Sequence, residues 1–205
     1  MRKSLIIFLI IGGLVIGIGI FNSLLNSGAI ELKQQTMQTS ASVQTENLIN
    51  NPAPEVLKPA VFSIPELGLE NIEVESVGLD KDSKMDIPAD ENNVAWYNLG
   101  SKPGERGNAV IAGHFDKRNG EPAVFYDINK LKAGDEIKVK DIEGKEFTYL
   151  VTDSVSYELA EFPLVEVFGA GDKARLNLIT CEGSYDKSSK LYSHRLVVYS
   201  ELKQT

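Results

Sequence analysis

The sequence EIKVKDIEGKEFTYLV, residues 136–151, reads as two strands and the turn that joins them. Ile137 and Val139 alternate with lysines, and Phe147, Tyr149 and Val151 form a second apolar row. Such period-two alternation marks a strand with one buried face. Gly144 stands between the two rows, where a tight turn needs a residue free to adopt positive φ. The same signature recurs on both sides. VFSI (61–64) starts a strand that Pro65 limits, and IEVESV (72–77) alternates. NAVIAGH (108–114) is a short apolar run after the turn PGERG (103–107). RLNLIT (175–180) runs up to Cys181, and RLVVYS (195–200) is the last strand, opened by Arg195. Helical periodicity is confined to residues 123–131, read as a short helix. Many short strands at close spacing predict an all-β domain, either a sandwich or a closed barrel.

The β pattern fills residues 60–203, enough for one sizeable core in a chain of 205 residues. The chain before it has a different character. From Leu5 to Leu25 it is apolar and uncharged, interrupted by Gly12, Gly13, Gly17, Gly19, Asn22 and Ser23. About 20 apolar residues span a bilayer as a helix. Arg2 and Lys3 precede this run and the first charge after it is Glu31, which puts the N-terminus in the cytoplasm and the rest outside. A cleaved signal peptide ending at SGA (27–29) competes, but the apolar run exceeds the usual h-region of about 7–15 residues. Both readings export residues 30–205. No aromatic residue occurs between Asn22 and Val61, a segment rich in Gln, Thr, Ser and Asn that closes with Pro52, Pro54 and Pro59. It lacks the apolar surface to offset its ordering entropy. The expected organisation is therefore a cytoplasmic tip and membrane anchor over 1–25, a flexible extracellular stalk over 26–58, and a folded domain over 59–205. As a coil the stalk reaches on the order of 30 Å. The expected address is the plasma membrane, crossed once.

Composition removes several functions. Lys and Arg number 21 against 29 Asp and Glu, a net charge of −8, which argues against a nucleic-acid partner. One cysteine permits no internal disulfide, and two histidines leave too few ligands for a structural zinc site. Asp80, Asp82 and Asp86 carry oxygen ligands suited to calcium, but their spacing is not that of an EF-hand loop and they read as an acidic surface loop. Neither a metal nor a cofactor is expected.

Three residues have the chemistry of a nucleophilic site. Cys181 lies where an apolar strand gives way to the polar segment EGSYD (182–186), a position at which a rigid sheet displays side chains to substrate. Its bland reading is a small buried hydrophobe. As a nucleophile it reacts as the thiolate, which burial disfavours and neighbouring cations favour. His114 ends the earlier strand, and an imidazole carries a proton between thiol and leaving amine near neutral pH. Arg195 offers a fixed fork of donors that never deprotonates. His194 adjoins it, and strand alternation sends the two side chains to opposite faces. That disfavours a metal site built from His114, Cys181 and His194. The three residues meet only if their strands are neighbours.

The segments VIAGHFD (110–116), LNLITCEGSYD (176–186) and YSHRLVVYS (192–200) resemble the three active-site segments of sortases, membrane-anchored cysteine transpeptidases of Gram-positive bacteria. The order His, Cys, Arg matches, as do the separations of 67 residues from His114 to Cys181 and 14 from Cys181 to Arg195. The likeness covers residues 62–200 and is greatest to the class F branch. Glu182 departs from it, standing where many class F members have Gly, and puts a carboxylate next to the thiol in sequence. The resemblance implies a closed eight-stranded β-barrel with short loop helices. It implies that Cys181 attacks the Thr–Gly carbonyl of an LPxTG-like sorting signal to form a thioacyl enzyme. His114 protonates the leaving amine, and Arg195 steadies the oxyanion. An amine acceptor such as a cell-wall precursor then resolves the thioester, attaching a surface protein to the wall. Thr180 and Glu182 are implied to shape the oxyanion and substrate site. The rival reading is a non-catalytic anchored barrel that binds peptide or cell-wall glycan.

Overall fold

The computed structural model describes residues 55–204. The expected anchor over 5–25 and most of the expected stalk lie outside these residues. Among the described residues no helix is long and apolar enough to cross a membrane.

Eight strands follow one another along the chain. They are β1 (Pro59–Ile64), β2 (Leu69–Val77), β3 (Val94–Tyr97), β4 (Gly107–Gly113), β5 (Glu136–Asp141), β6 (Glu146–Glu158), β7 (Ala174–Asp186) and β8 (Leu191–Leu202). They close into a barrel in the order β1-β2-β3-β4-β7-β8-β6-β5. The expected hairpin is β5–β6, with Gly144 at φ +86° in its turn. Closure leaves no unpaired edge, so each strand hides one row of side chains inside. Phe62, Ile64, Ile111, Phe125, Ile137, Val139, Tyr149, Leu176, Leu178 and Val198 form that core and are essentially inaccessible. Tyr149 satisfies its hydroxyl by accepting the Gly104 N–H at 2.6 Å, as a buried phenol must. Val56, at the end of the expected stalk, packs against the same core, and its carbonyl accepts from Lys102 Nζ at 2.8 Å.

Several elements differ from their sequence readings. The region 123–131 forms turns and a single 3-10 turn, Ile128–Lys130, rather than a helix. Phe125 and Ile128 are drawn into the barrel mouth, and that packing overrides weak helical periodicity. β6, β7 and β8 all run beyond their apolar stretches. β7 continues five residues past Cys181 and pairs Tyr185 with Tyr192 and Asp186 with Leu191. Cys181 is therefore inside a strand, at the point where burial stops: residues 176–180 are buried and 183–186 exposed. The extension stands clear of the core, so its residues are polar and carry no periodic signal. β3 and the helix α1 (Leu164–Phe168) are too short to declare themselves in sequence.

A second, smaller apolar cluster lies on the outer wall. Val110, Ile179 and Val197 face outward from β4, β7 and β8 and are covered by Val167 of α1. Two buried asparagines clamp this helix. Asn108 Nδ2 donates to the Glu166 carbonyl and Asn177 Nδ2 to that of Val167, both at 2.8 Å.

The end of β4 is tightly fitted. A Cβ on Gly113 would lie 2.6 Å from the Phe125 ring and 2.9 Å from Val124 Cγ1. Phe125 packs against Phe62 with ring centroids 5.7 Å apart and has no room to retreat. Gly113→Ala is expected to destabilise the fold by about 1–3 kcal/mol, the usual cost of overpacking. A chemical-denaturation midpoint equal to that of the parent chain would contradict this.

Candidate active site

Strand alternation decides which residues share the outer wall. On β7, Leu176 and Leu178 point into the core while Ile179 joins the outer cluster, so Cys181 faces outward. On β8, Leu196 and Val198 point in and Val197 out, so Arg195 faces outward. Cys181 and Arg195 are direct partners in the antiparallel β7–β8 ladder. Side chains opposite one another in such a ladder share a face with Cβ atoms about 5 Å apart. β4 pairs with β7 in parallel from Gly107 opposite Ala174 to Ala112 opposite Ile179. β4 ends at Gly113, so His114 lies just past its end, two residues beyond the last paired residue, Ala112. Cys181 and Arg195 thus stand side by side on adjacent strands, and His114 follows the strand on the other side of β7.

The surroundings tune each group. Cys181 is half-buried. Burial pushes its thiol above the ordinary value, the Arg195 guanidinium draws it down, and the Asp116 carboxylate pushes it up, with a net upward shift. Arg195 is held along its strand by an Nη1 hydrogen bond to the His194 carbonyl at 2.9 Å. It forms no ion pair among the described residues, so no carboxylate neutralises its charge. His114 is half-buried, and its Nε2 lies 3.1 Å from the Pro88 carbonyl oxygen. A carbonyl only accepts, so the facing nitrogen carries the hydrogen and Nδ1 is left to exchange a proton.

His194 pairs with Glu182 across the ladder, and alternation turns both from the face that Cys181 and Arg195 share. The His194 Nδ1 meets Ser193 Oγ at 2.7 Å. Glu182 is thus next to the cysteine in sequence but on the other side of the strand. Thr180 is buried, and its hydroxyl donates to the Gly113 carbonyl at 2.9 Å. It ties β7 to the end of β4 just before His114, and its hydroxyl is spent there. Two groups, one beside the thiol and one beside His114, carry no signal in the sequence. Asp116 follows His114 by two residues and accepts a 2.5 Å hydrogen bond from the Tyr192 hydroxyl. Burial and that carboxylate both hold Tyr192 in its protonated form. Pro88 contributes a backbone atom, for which no sequence signal exists.

Cys181 and Arg195 lie on the outer wall of the barrel and are half-buried. A polar recess lined by Asp153, Tyr157, Glu166, Arg175 and Tyr199 lies on the wall but does not include Cys181. Two connections pack on this part of the wall. The β2–β3 connection sends Met85 into the outer cluster and Pro88 to His114. The β6–β7 connection carries α1. Both expose apolar side chains, Ile87 on the first and Leu164 and Val165 on the second.

The chain is thus a closed barrel that pairs a half-buried cysteine with an arginine on its outer wall, with a histidine just past the end of the neighbouring strand. The family model described as "Sortase domain" matches residues 62–203, and the chain belongs to the sortase family, whose members are cysteine transpeptidases. Solved structures with the same fold include sortase C-1 from Actinomyces oris, 21% identical over 71% of this chain and 73% of that chain, with a TM-score of 0.53. A lid mutant of sortase A from Corynebacterium diphtheriae is 20% identical over 77% of this chain and 76% of that one, with a TM-score of 0.55. A Clostridium perfringens sortase D5 transpeptidase is 22% identical over 80% of this chain and 89% of that one, with a TM-score of 0.53. No curated protein matches the chain.

The opposed charges around the thiol yield a signed expectation. Asp116→Asn removes the carboxylate that disfavours the thiolate and should lower the Cys181 pKa, whereas Arg195→Gln removes the favouring cation and should raise it. The pH dependence of iodoacetamide alkylation measures both, with the parent midpoint above the ~8.5 of free cysteine. A parent midpoint below 7 would contradict the burial effect.

Proposed function

We propose that Cys181, His114 and Arg195 carry transpeptidation of an LPxTG-like sorting signal. The observation that carries this reading is the direct ladder pairing of Cys181 with Arg195, with His114 immediately after the end of the strand that pairs with β7 on its other side. The thiol gives its proton to His114 Nδ1 as sulfur attacks the Thr carbonyl carbon. The oxyanion that forms takes hydrogen bonds from the planar Arg195 fork. The C–N bond breaks as His114 returns the proton to the departing amine, leaving a thioester on Cys181. A thioester keeps enough acyl-transfer potential for an incoming amine to resolve it, so no nucleotide enters the reaction. The amine, in turn, gives up a proton as the new amide forms and the thiol is restored. The exposed apolar residues Ile87, Leu164 and Val165 on the two connections suit the Leu and Pro of such a signal.

The resting state follows from the burial of the thiol. Cys181 is held mainly as the thiol, and the thiolate–imidazolium pair is a minor reactive form. We further infer that residues 5–25 anchor the chain in the plasma membrane with the N-terminus in the cytoplasm. Residues 26–58 act as the stalk, and residues 59–205 form the catalytic domain outside the cell, where sorting signals and wall precursors meet. The reading also assigns the chain to the class F branch, on the likeness of its active-site segments, and takes a cell-wall precursor amine as the acceptor.

Mass spectrometry of the full chain with an LPxTG peptide and an amine such as triglycine tests the reading. A thioacyl adduct on Cys181 and a peptide–triglycine product are expected, and Cys181→Ala should form neither. An intact chain that binds the peptide without an adduct would favour the binding-module alternative. His114→Ala should lower kcat by about 10²–10⁴-fold, the usual worth of a positioned general acid–base. Arg195→Lys should lose about 10²–10³-fold in kcat, because a point charge does not reproduce the fork at the oxyanion. Near-parental turnover by Arg195→Lys would remove Arg195 from that role.

A further inference from the structure

The acidic side chain that most directly reaches the histidine's support lies one strand-connection away from the chemistry. Glu75 is an outward-facing residue of β2, next to the inward-facing core residue Val74. Its two carboxylate oxygens are both engaged by the segment that follows. Oε2 accepts the Ala89 N–H at 2.8 Å, and Oε1 accepts the Asp90 N–H at 3.1 Å and Asn93 Nδ2 at 3.1 Å. Burial raises the Glu75 carboxyl, but these three donors outweigh it and hold the group ionised. The residue immediately before the two captured amides is Pro88, whose carbonyl faces His114 Nε2. The front of the same segment is fastened to the chain beyond His114, where the Arg118 N–H donates to Glu91 Oε1 at 3.1 Å.

We propose that Glu75 is a positioning residue for His114, acting through the 88–93 segment and the Pro88 carbonyl. This inference rests on the reading of His114 as the proton carrier. A base oriented by a third group is the general device of nucleophilic sites. Here the third group is a main-chain carbonyl, and a carbonyl on a connection is only as well aimed as the connection is held. Glu75 holds it from the sheet. With Nε2 committed to Pro88, the neutral ring keeps Nδ1 unprotonated and available to the thiol. Without that commitment the ring samples the other tautomer and other rotamers. Arg195 and Asp116, the charges that act on the Cys181 thiol, lie outside β2.

The test uses Glu75→Gln, which keeps the shape of the side chain but only one acceptor oxygen. Glu73→Gln, an exposed neighbour on the same strand, is the control. Ring ¹⁵N–¹H spectra of the full chain report the His114 tautomer and the solvent exchange of its Nε2 hydrogen. The parent and Glu73→Gln should show a protected Nε2 hydrogen. Glu75→Gln should lose that protection and gain the Nδ1-protonated form, with kcat for peptide transfer about 10-fold lower and KM within twofold. Asn93→Ala, which removes one of the three donors, should show the same change at smaller amplitude. An unchanged His114 spectrum in Glu75→Gln overturns the proposal, whatever happens to kcat. So does a loss expressed only in KM. The spectrum needs no peptide, so it stands apart from the adduct experiment: absence of a thioacyl adduct in the parent chain would overturn the proposed function instead.

Discussion

The double pairing of β7 governs the site. This strand lies between β4, which runs parallel to it, and β8, which runs antiparallel. Parallel neighbours cannot be joined by a tight turn, so β4 and β7 are separated by the whole β5–β6 hairpin and α1. That separation is why the histidine that follows β4 and the cysteine of β7 are 67 residues apart in the chain. The antiparallel partner needs only a short hairpin, and the arginine follows the cysteine after 14 residues. A slip of one residue in either ladder would turn one of the three side chains to the opposite face. The Thr180 hydroxyl on the Gly113 carbonyl and the buried rows of Leu176, Leu178, Leu196 and Val198 lock both registers.

The same geometry sets an electrostatic compromise. The thiol sits where the barrel wall passes from buried to exposed. Burial keeps the sulfur protonated, and only the Arg195 charge works against it, with Asp116 aiding the neutral form. A protonated thiol is a poor nucleophile, so the fold holds the sulfur in its less reactive form.

Much of the fold was legible because barrel strands obey one rule, a buried row every second residue. Phe147, Tyr149 and Val151 follow it, as do Leu176 and Leu178 and the last strand. The rule fails where strands leave the core. The ends of β6, β7 and β8 pair through their backbones while their side chains meet water, so apolar content no longer reports strand. This is why Cys181 read as a strand end when it lies within one. It also fails for residues 123–131, whose Phe125 and Ile128 belong to the core through tertiary contact and not through a helical face.

The sequence by itself determined the residue types of the site, their order, and the family to which they belong. Cys181, His114 and Arg195 carry chemistry that few other side chains supply, and their flanking segments are distinctive. What only the tertiary structure decided is how those residues are held. Pro88 acts through a backbone carbonyl and Glu75 through backbone amides, and any residue type supplies those groups. Asp116 and Tyr192 meet across 76 positions of chain. Glu182 and Thr180 flank the nucleophile in sequence, yet strand alternation turns both side chains from it. Proximity along a strand and proximity in space differ there, because successive side chains leave a pleated backbone on opposite sides.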